Sequence, residues 1–382
     1  RYRAYGWAVH DTVDGADPDA VDAAIRSVLD EPGRPGFVRV RTTIGEGAPT
    51  KAGTPAVHGA PLGADEALTL RRSVGWPEET FWVPDGVRAR MKALCDRGAT
   101  ERLAWLDRVG AWTAAQPERA RDWGQLVVGS DGASRQDSQI PTTPARDVLP
   151  CFEPGTSTAT RTAHGKVLAA VGGAMPEVVG GSADLAESTC TELPGGSVTR
   201  SDYAGSHIHF GVREHAMAAI LNGLALHGGF RPVGSTFLVF TDYARPALRL
   251  AALMGQPVIH VYTHDSVGLG EDGPTHQPVE HLAALRAMPG LAVLRPADAN
   301  EVIDAWQTAL HRVDGPPALV LSRQTLPVLA PADDPEWIES RGARTLSPST
   351  EPVDVVLVAT GSEGSLAIAA TQLHSEPGLS GR

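Results

Sequence analysis

Apolar positions along the chain follow two periods that alternate from about residue 155 onwards. Some segments repeat apolar residues at helical spacing, and between them lie short, nearly continuous apolar runs, as in residues 231–240 and 256–265. Continuous runs of this length are typical of strands buried on both faces of a parallel sheet, with helices as the crossovers. The pattern predicts an α/β fold with doubly wound parallel sheets, which bind ligands at the carboxyl ends of their strands.

The flanking regions are organised differently. A strand over 2–10, a helix over 17–31 capped by Asp17, and a strand over 36–45 are predicted near the start. A loop rich in glycine and proline follows, then a charged, mostly helical region to residue 123 and a turn-rich boundary over 124–150. After a proline-rich connector, residues 353–373 predict one further strand and helix.

Composition narrows the class of protein. With 382 residues, 42% hydrophobic and 20% charged, the chain is expected to be globular with two to three domains. A net charge of -12 gives no support for binding nucleic acid, and no apolar run reaches the roughly 20 residues that span a membrane. The three cysteines are far apart, so we expect no disulfide framework and a reducing cytoplasm.

One polar stretch stands at the end of a predicted strand. Residues 263–278, THDSVGLGEDGPTHQP, crowd titratable side chains among glycines that let the backbone turn tightly. His264, Asp272 and His276 would then face one cleft and hydrogen-bond a polyol or a phosphate. A solvated loop is the alternative, but this density at a strand end favours a ligand site.

Other candidate residues are ambiguous by themselves. Glu214 begins a predicted helix, where a glutamate is commonly only a favourable contact with the helix dipole. Phe237, Phe240 and Tyr243 stand three residues apart, which suits core packing on a helix or an aromatic wall for a ring. Arg161, Ser188 and Arg323 could each bind a phosphate. His58 is in a loop that is too rich in glycine to belong to a hydrophobic core.

Several blocks of the sequence, taken in order, resemble transketolase. The blocks are KAGTPAVHGAPLG, GGSADLAEST, HFGVREHAMAAILNG, GGFRPVGSTFLVFTDYARPALRLAALM, the run containing GEDGPTHQP, and LSRQ. GEDGPTHQP and GVREHAM are highly specific. With HGAPLG they favour transketolase over deoxyxylulose phosphate synthase and the 2-oxo acid dehydrogenase subunits.

The resemblance implies an enzyme that binds thiamine diphosphate at a dimer interface. Residues 1–60 resemble the end of the diphosphate-binding domain, 61–144 a helical and irregular linker, 145–340 the pyrimidine-binding domain, and 341–382 the start of a C-terminal domain. Arg1 stands where a methionine would begin a chain, and both ends are interpreted as cut. We expect either a sequence fragment or a subunit of a split gene, complemented by an N-terminal subunit.

The resemblance also assigns roles to the candidates. Glu214 matches the glutamate that hydrogen-bonds the aminopyrimidine ring, and Phe237, Phe240 and Tyr243 match the aromatic pocket around it. Asp184 matches an aspartate close to the cofactor. His58 and His276 match the family's histidines at the reacting carbons, and Asp272 matches an aspartate that recognises a sugar hydroxyl. The residues that match those binding the sugar phosphate are Arg161, Ser188, His264 and Arg323.

The chain departs from the family pattern at several points. The GDG-to-Asn motif that binds magnesium is absent, as are the histidines before it, so the ligands of Mg²⁺ or Ca²⁺ are expected outside this chain and no metal ligand is assigned within it. Glu46 replaces a usual aromatic residue. Glu187 and Thr189 flank Ser188 where small and amide residues are commoner.

The implied reaction moves a two-carbon ketol unit from a ketose phosphate, such as xylulose 5-phosphate, to an aldose phosphate, such as ribose 5-phosphate, in the pentose phosphate pathway. A ketol transferase of the dihydroxyacetone synthase type and an inactive half-protein that needs a partner are the alternatives. We expect sugar phosphates as ligands, a homodimer in the complete enzyme, no membrane or nucleic-acid partner, and no activity from this chain alone.

Overall fold

The computed structural model describes residues 1–120, 144, 146–331, 337–348 and 352–373. These residues belong to two compact units, 1–109 and 110–382, which are considered separately below. Most of the predicted boundary over 124–150 lies outside the described residues, as does the end of the predicted last domain from residue 374.

The first unit contains a parallel strand–helix–strand motif, β1 (Ala8–Asp14), α1 (Pro18–Leu29) and β2 (Gly36–Arg41). The Asp17 side chain accepts hydrogen bonds from the first-turn amides at 3.0 and 3.1 Å, which confirms the predicted cap. The unit also includes two helices and a short 3-10 turn: α2 (Ala64–Ser73), Asp85–Val109 of α3 (Asp85–Ala115), and Pro55–Val57.

The predicted strand over 2–10 is wrong in its first half. Tyr2–Tyr5 form a 3-10 helix that ends at Gly6, whose φ is 82°. The Tyr2 ring stacks on Phe37 at 4.1 Å between centroids, which packs the turn against β2 instead of extending the chain. Aromatic packing therefore overrides the strand propensity of this segment.

The second unit is built around a six-stranded sheet in which every neighbouring pair is parallel. From one edge to the other the strands are β5 (His207–His209), β4 (Val178–Ser182), β6 (Arg231–Phe237), β7 (Ile259–Thr263), β9 (Pro317–Val320) and β8 (Ala292–Leu294). A separate antiparallel pair joins β3 (Ser157–Ala159) to β10 (Thr325–Pro327).

Helices cover both faces of this sheet. Along β7, Ile259 and Val261 pack into a core with Trp306, whereas Tyr262 packs into a core on the opposite face with Leu248. This alternation confirms the doubly wound arrangement predicted from the continuous apolar strands. Among the described residues of the unit, the helices besides the end of α3 include α4 (Thr160–Ala174), α5 (Ala186–Thr189), α6 (Glu214–His227), α7 (Thr241–Leu253), α8 (His281–Arg286), α9 (Ala299–His311), α10 (Trp337–Ser340) and α11 (Glu363–Leu373).

Of the strand and helix predicted within 353–373, the helix α11 forms, whereas the strand is reduced to a single bridge residue, Val355. Residues 356–360 have no regular secondary structure, and Val356 and Val358 are 63% and 91% exposed. A strand is stable only beside another, and within the described residues no strand of the sheet pairs with this segment. Across the same residues, no helix has the length and hydropathy needed to cross a membrane.

Candidate active site

A cavity of about 440 Å³ opens at the carboxyl edge of the six-stranded sheet. β4, β6, β7 and β9 are consecutive neighbours, and each ends at or just before a residue or loop that reaches the cavity. The carboxyl ends of adjacent parallel strands meet at one edge, where ligands bind in such folds. The lining residues are Arg161, Glu187, Ser188, Phe237, His264, Asp272, His276 and Arg323.

His264 occupies the centre of this arrangement, directly after β7. Its backbone is left-handed, with φ at 59°, and the residue is only 2% exposed. Nδ1 lies 2.9 Å from the Thr263 hydroxyl, and the imidazole stacks on Phe237 with 3.7 Å between ring centroids. These contacts leave Nε2 directed towards Asp272, whose Oδ2 is 3.9 Å away.

The loop after His264 is anchored to Arg323. Arg323 Nη1 donates to the Leu269 carbonyl at 2.8 Å, at the end of a 3-10 turn that Ser266 caps. A Cβ on Gly270 would lie 3.1 Å from the same guanidinium, and φ there is 103°. The glycine is therefore required for the backbone to pass this close to the arginine.

Three residues form what we call the cationic wall: Arg161, Ser188 and Arg323. Arg161 lies in the first turn of α4, and a buried pair of hydrogen bonds between Thr160 and Ser322 fixes that helix end to the chain just after β9. Arg161 Nη1 donates to the Ser188 carbonyl at 2.5 Å, while its buried Nε has no partner in the described structure. An unpartnered buried donor beside a cavity suits an anionic ligand.

Aromatic rings, instead of charged groups, form what we call the aromatic wall: Phe237, Phe240 and His276. Phe237 and Phe240 are stacked at 6.0 Å, and the His276 ring lies edge-on to both, at 6.0 and 5.3 Å. Tyr243 continues the row beyond Phe240 at 6.0 Å and is 63% exposed. The aromatic triplet is thus arranged around a turn and a helix start, and its rings form a row instead of a helix-face core.

The electrostatics of the cavity keep His264 neutral. Burial lowers the pKa of its imidazole to about 4, and the positive charge of Arg161 acts in the same direction, while Asp272 opposes both. At neutral pH this side chain therefore offers one N–H donor and one acceptor, and the positive charge of the cavity resides on the two arginines.

Five of the predicted site residues do not line the cavity: Phe240 and Tyr243, which lie in the aromatic row beside it, and Glu214, Asp184 and His58. Glu214 is buried at the start of α6, and Asp184 is half-buried just after β4, where its carboxylate accepts from the Leu185 amide at 2.6 Å. His58 is exposed at the end of a 3-10 turn in the first unit. The other predicted residues lie on the lining.

The cavity also contains one residue that the sequence singled out only as a departure. Glu187 lines it beside Ser188, and its exposed carboxylate adds negative charge near the cationic wall. The position of this residue next to a predicted phosphate ligand was the signal that could have identified it.

One group of potential metal ligands comes together within the described residues, outside the cavity lining. Asp242, Glu280 and His281 converge there, but Asp242 already accepts from Arg245 at 2.7 Å and pairs with His281 at 3.2 Å. These contacts account for the cluster without a cation.

The comparison with known families covers most of the chain. Residues 1–131 match the thiamine diphosphate binding domain of transketolase, and residues 156–328 match its pyrimidine binding domain. The chain belongs to the transketolase family. Among curated transketolases, that of Halalkalibacterium halodurans is 46% identical over 383 residues, and transketolase 2 of Xanthobacter flavus is 47% identical over 380 residues.

Solved transketolases share the fold over the full length of the chain. The enzyme of Leishmania mexicana is 38% identical, with a TM-score of 0.85, and covers 100% of this chain. A Pichia stipitis transketolase variant in complex with fructose 6-phosphate is also 38% identical, with a TM-score of 0.86. The two curated alignments include 99% of this chain but only 56% and 54% of the relatives' own lengths. The structural match covers 55% of the Leishmania mexicana chain, so this chain spans about half the length of the relatives it matches.

Proposed function

We propose that the chain is part of a transketolase that moves a two-carbon ketol unit from a ketose phosphate to an aldose phosphate, such as xylulose 5-phosphate and ribose 5-phosphate. The observation that carries the proposal is the cavity, which brings two arginines, two histidines and an aromatic row to one sheet edge in a chain of this family. The proposed domain boundaries are those expected from the sequence, with the pyrimidine-binding domain over 145–340.

The residues present fit the pyrimidine end of thiamine diphosphate. Glu214 is 7% exposed at the start of α6, and its carboxylate is a hydrogen-bond acceptor. The aminopyrimidine ring has N–H donors for such an acceptor, and a hydrogen bond to an ionised carboxylate is stronger than one between neutral groups. Phe240, with Phe237 and Tyr243, provides ring faces against which a heteroaromatic ring packs.

When bound, thiamine diphosphate supplies the carbon nucleophile and electron sink for breaking the C2–C3 bond of the ketose. In this proposal Glu214 holds the proton shared with the pyrimidine ring, and Asp184 supports the cofactor from the end of β4. His276, together with His58, moves the proton of the C3 hydroxyl, a role for which imidazole is suited near neutral pH.

The cationic wall is proposed to bind the substrate phosphate. Arg161 and Arg323 carry the positive charge, Ser188 contributes a hydroxyl, and neutral His264 donates one N–H. Guanidinium groups pair with phosphate oxygens in a planar, bidentate geometry, which orients the ligand as well as attracting it. Asp272, whose Oδ2 lies 3.9 Å from His264 Nε2, then forms a hydrogen bond with a sugar hydroxyl.

The remaining elements of the proposal come from the family. Mg²⁺ or Ca²⁺ would be held by ligands outside this chain, the complete enzyme would be a cytoplasmic homodimer, and its reaction would belong to the pentose phosphate pathway. The 382-residue chain by itself is expected to lack ketol transfer.

The test uses the natural protein that contains these residues, in a coupled assay of ketol transfer from xylulose 5-phosphate with ribose 5-phosphate or formaldehyde as acceptor. Glu214→Gln removes the carboxylate charge and is expected to lower kcat at least about 100-fold, the usual contribution of a positioned acid or base. The matched control is Glu192→Gln, an exposed glutamate outside the cavity lining. Normal ketol transfer by Glu214→Gln would contradict the assignment, and a preference for formaldehyde would favour a dihydroxyacetone synthase.

A further inference from the structure

Just behind His264 lies a buried ion pair that the proposed chemistry does not use. Arg295 follows β8, its Nε donates to Asp265 Oδ2 at 2.9 Å, and its Nη2 lies 2.7 Å from the same oxygen in an ion pair. The side chains are 4% and 1% exposed, respectively. Removing one partner of a pair buried this deeply is strongly destabilising, because it leaves an uncompensated charge.

Asp265 is the residue directly after His264, whose backbone is left-handed. A side chain other than glycine or asparagine is strained in that conformation and persists in it only when the surroundings fix the chain on both sides. On one side, Thr263 is fully buried as the last residue of β7. On the other side, the fixed point is the pairing of Asp265 with Arg295.

Arg295 is held in turn by the turn that precedes α11. Its Nη1 donates to the Thr360 carbonyl at 2.9 Å, and its Nη2 donates to Ser362 Oγ at 3.2 Å and to Glu363 Oε1 at 3.1 Å. The Gly361 amide donates to the Arg295 carbonyl at 3.1 Å, and a Cβ at Gly361 would lie 2.6 Å from the arginine side chain. The turn therefore encloses the guanidinium closely.

We infer that Arg295 is a positioning residue: by holding Asp265 it fixes the left-handed turn that places the His264 imidazole in the cavity, and the turn over 360–363 holds Arg295 in place. The inference rests on the proposed function, in which His264 contributes to phosphate binding. It connects a segment near the end of the described chain to the cavity through two contacts of Arg295, with the turn and with Asp265, and through the peptide bond between Asp265 and His264.

The charges around Asp265 support a tight dependence on Arg295. Burial raises the pKa of the Asp265 carboxyl and the nearby charge of Glu363 adds to this, while the ion pair with Arg295 opposes it. Without the arginine, the carboxylate would be buried with no compensating charge. It would then take up a proton or move towards water, and either change releases the backbone beside His264.

The experiment compares Arg295→Met with Arg344→Met in the 382-residue chain. Arg344 also forms a partly buried ion pair, with Glu301 at 2.8 Å, but it does not line the cavity. Binding of inorganic phosphate is measured by calorimetry, and the titration of His264 is followed by NMR of its ring, assigned with His264→Asn. Circular dichroism establishes that each variant is folded.

Arg295→Met is expected to weaken phosphate binding about tenfold or more, the effect of misplacing one ligand-contacting group. It is also expected to raise the pKa of His264 as the ring gains exposure. Arg344→Met should leave both quantities within experimental error, and Arg295→Lys should give an intermediate result because it keeps the charge but not the fork. Unchanged phosphate affinity and an unchanged His264 titration in folded Arg295→Met would overturn the inference.

A milder variant decides the case if Arg295→Met does not fold. Glu363→Gln keeps the Arg295–Asp265 pair and removes only the outer charge, and we expect a smaller shift in both quantities in the same direction. No shift would then overturn the inference. A wild-type chain that fails to bind phosphate would contradict the proposed function instead, while the His264 titration would still report on positioning.

Discussion

The cationic wall and the aromatic wall of the cavity are held in place by different forces. In the cationic wall, Arg161 and Arg323 donate to backbone carbonyls of neighbouring loops, so hydrogen bonds with fixed directions orient the charges. In the aromatic wall, ring-to-ring packing of Phe237, Phe240 and His276 sets the positions. His264 is influenced by both systems, since it stacks on Phe237, and since the charge of Arg161 adds to burial in lowering the pKa of its imidazole.

The difference indicates how each wall responds to change. Packing energy is lost with the volume removed, so the aromatic wall should contribute mainly to the stability of the fold. Charged hydrogen bonds to backbone groups contribute less to stability but aim donors at the cavity, so the cationic wall should contribute mainly to ligand affinity. Three substitutions test this division, in order of decreasing expected effect.

Phe237→Ala should cause the largest change. The side chain is 8% exposed and contacts three other rings, so its removal leaves a cavity and is expected to lower the free energy of unfolding by about 3–5 kcal/mol. Urea denaturation measures this value. The control is Tyr243→Ala in the same row, which is 63% exposed and should cost less than about 0.5 kcal/mol. Equal losses in the two variants would show that the row is not a packed wall.

Arg161→Ala should affect affinity more than stability. The Arg161 guanidinium lines the cavity, so its loss is expected to weaken binding of inorganic phosphate by about 1.5–3 kcal/mol, measured by calorimetry. Arg249→Ala removes an exposed arginine on α7 and serves as the control. If Arg161→Ala keeps its phosphate affinity but loses stability as Phe237→Ala does, the two walls do not differ in the way proposed.

Much of this cavity could be predicted from the sequence because its residues stand at strand ends. A continuous apolar strand followed by glycines and polar residues, as in Thr263–Pro278, marks the carboxyl edge of a parallel sheet without knowledge of the rest of the fold. The aromatic triplet was visible as a spacing but not as an arrangement. Its rings lie on a strand, a 3-10 turn and a helix, and that change of element cannot be read from a regular interval of three.

The contacts that could not be predicted join residues distant in sequence. Asp265 and Arg295 are 30 positions apart, and nothing in either neighbourhood specifies the partner. The apolar run before α11 failed as a predicted strand for a related reason, since strand formation depends on a neighbour that local sequence does not reveal. Glu187 illustrates a third limit, because its position beside Ser188 is a signal in the sequence, but the folded chain is needed to show that its side chain reaches the cavity lining.

The third test concerns the pH dependence of His264, where the two walls meet, and its effect is the smallest when expressed per pH unit. Because its pKa falls from 6.5 to about 4 on folding, the unfolded chain binds a proton between these values while the folded chain does not. As far as this group is concerned, the free energy of unfolding is therefore highest above pH 6.5. It declines as the pH falls from 6.5 to about 4 and stops changing below that value. The slope is at most about 1.4 kcal/mol per pH unit.

His264→Asn tests this dependence, since asparagine tolerates the left-handed backbone at φ 59°. Chemical denaturation from pH 7 to 4 should show a shallower decline in the free energy of unfolding than in the wild type. His164 and His260, buried with pKa values lowered to about 3, remain in both proteins, so the difference in slope isolates His264. His215→Asn, at an exposed position on α6, controls for loss of an imidazole. Identical slopes in wild type and His264→Asn would mean that the ring is hydrated, and that neither wall encloses it.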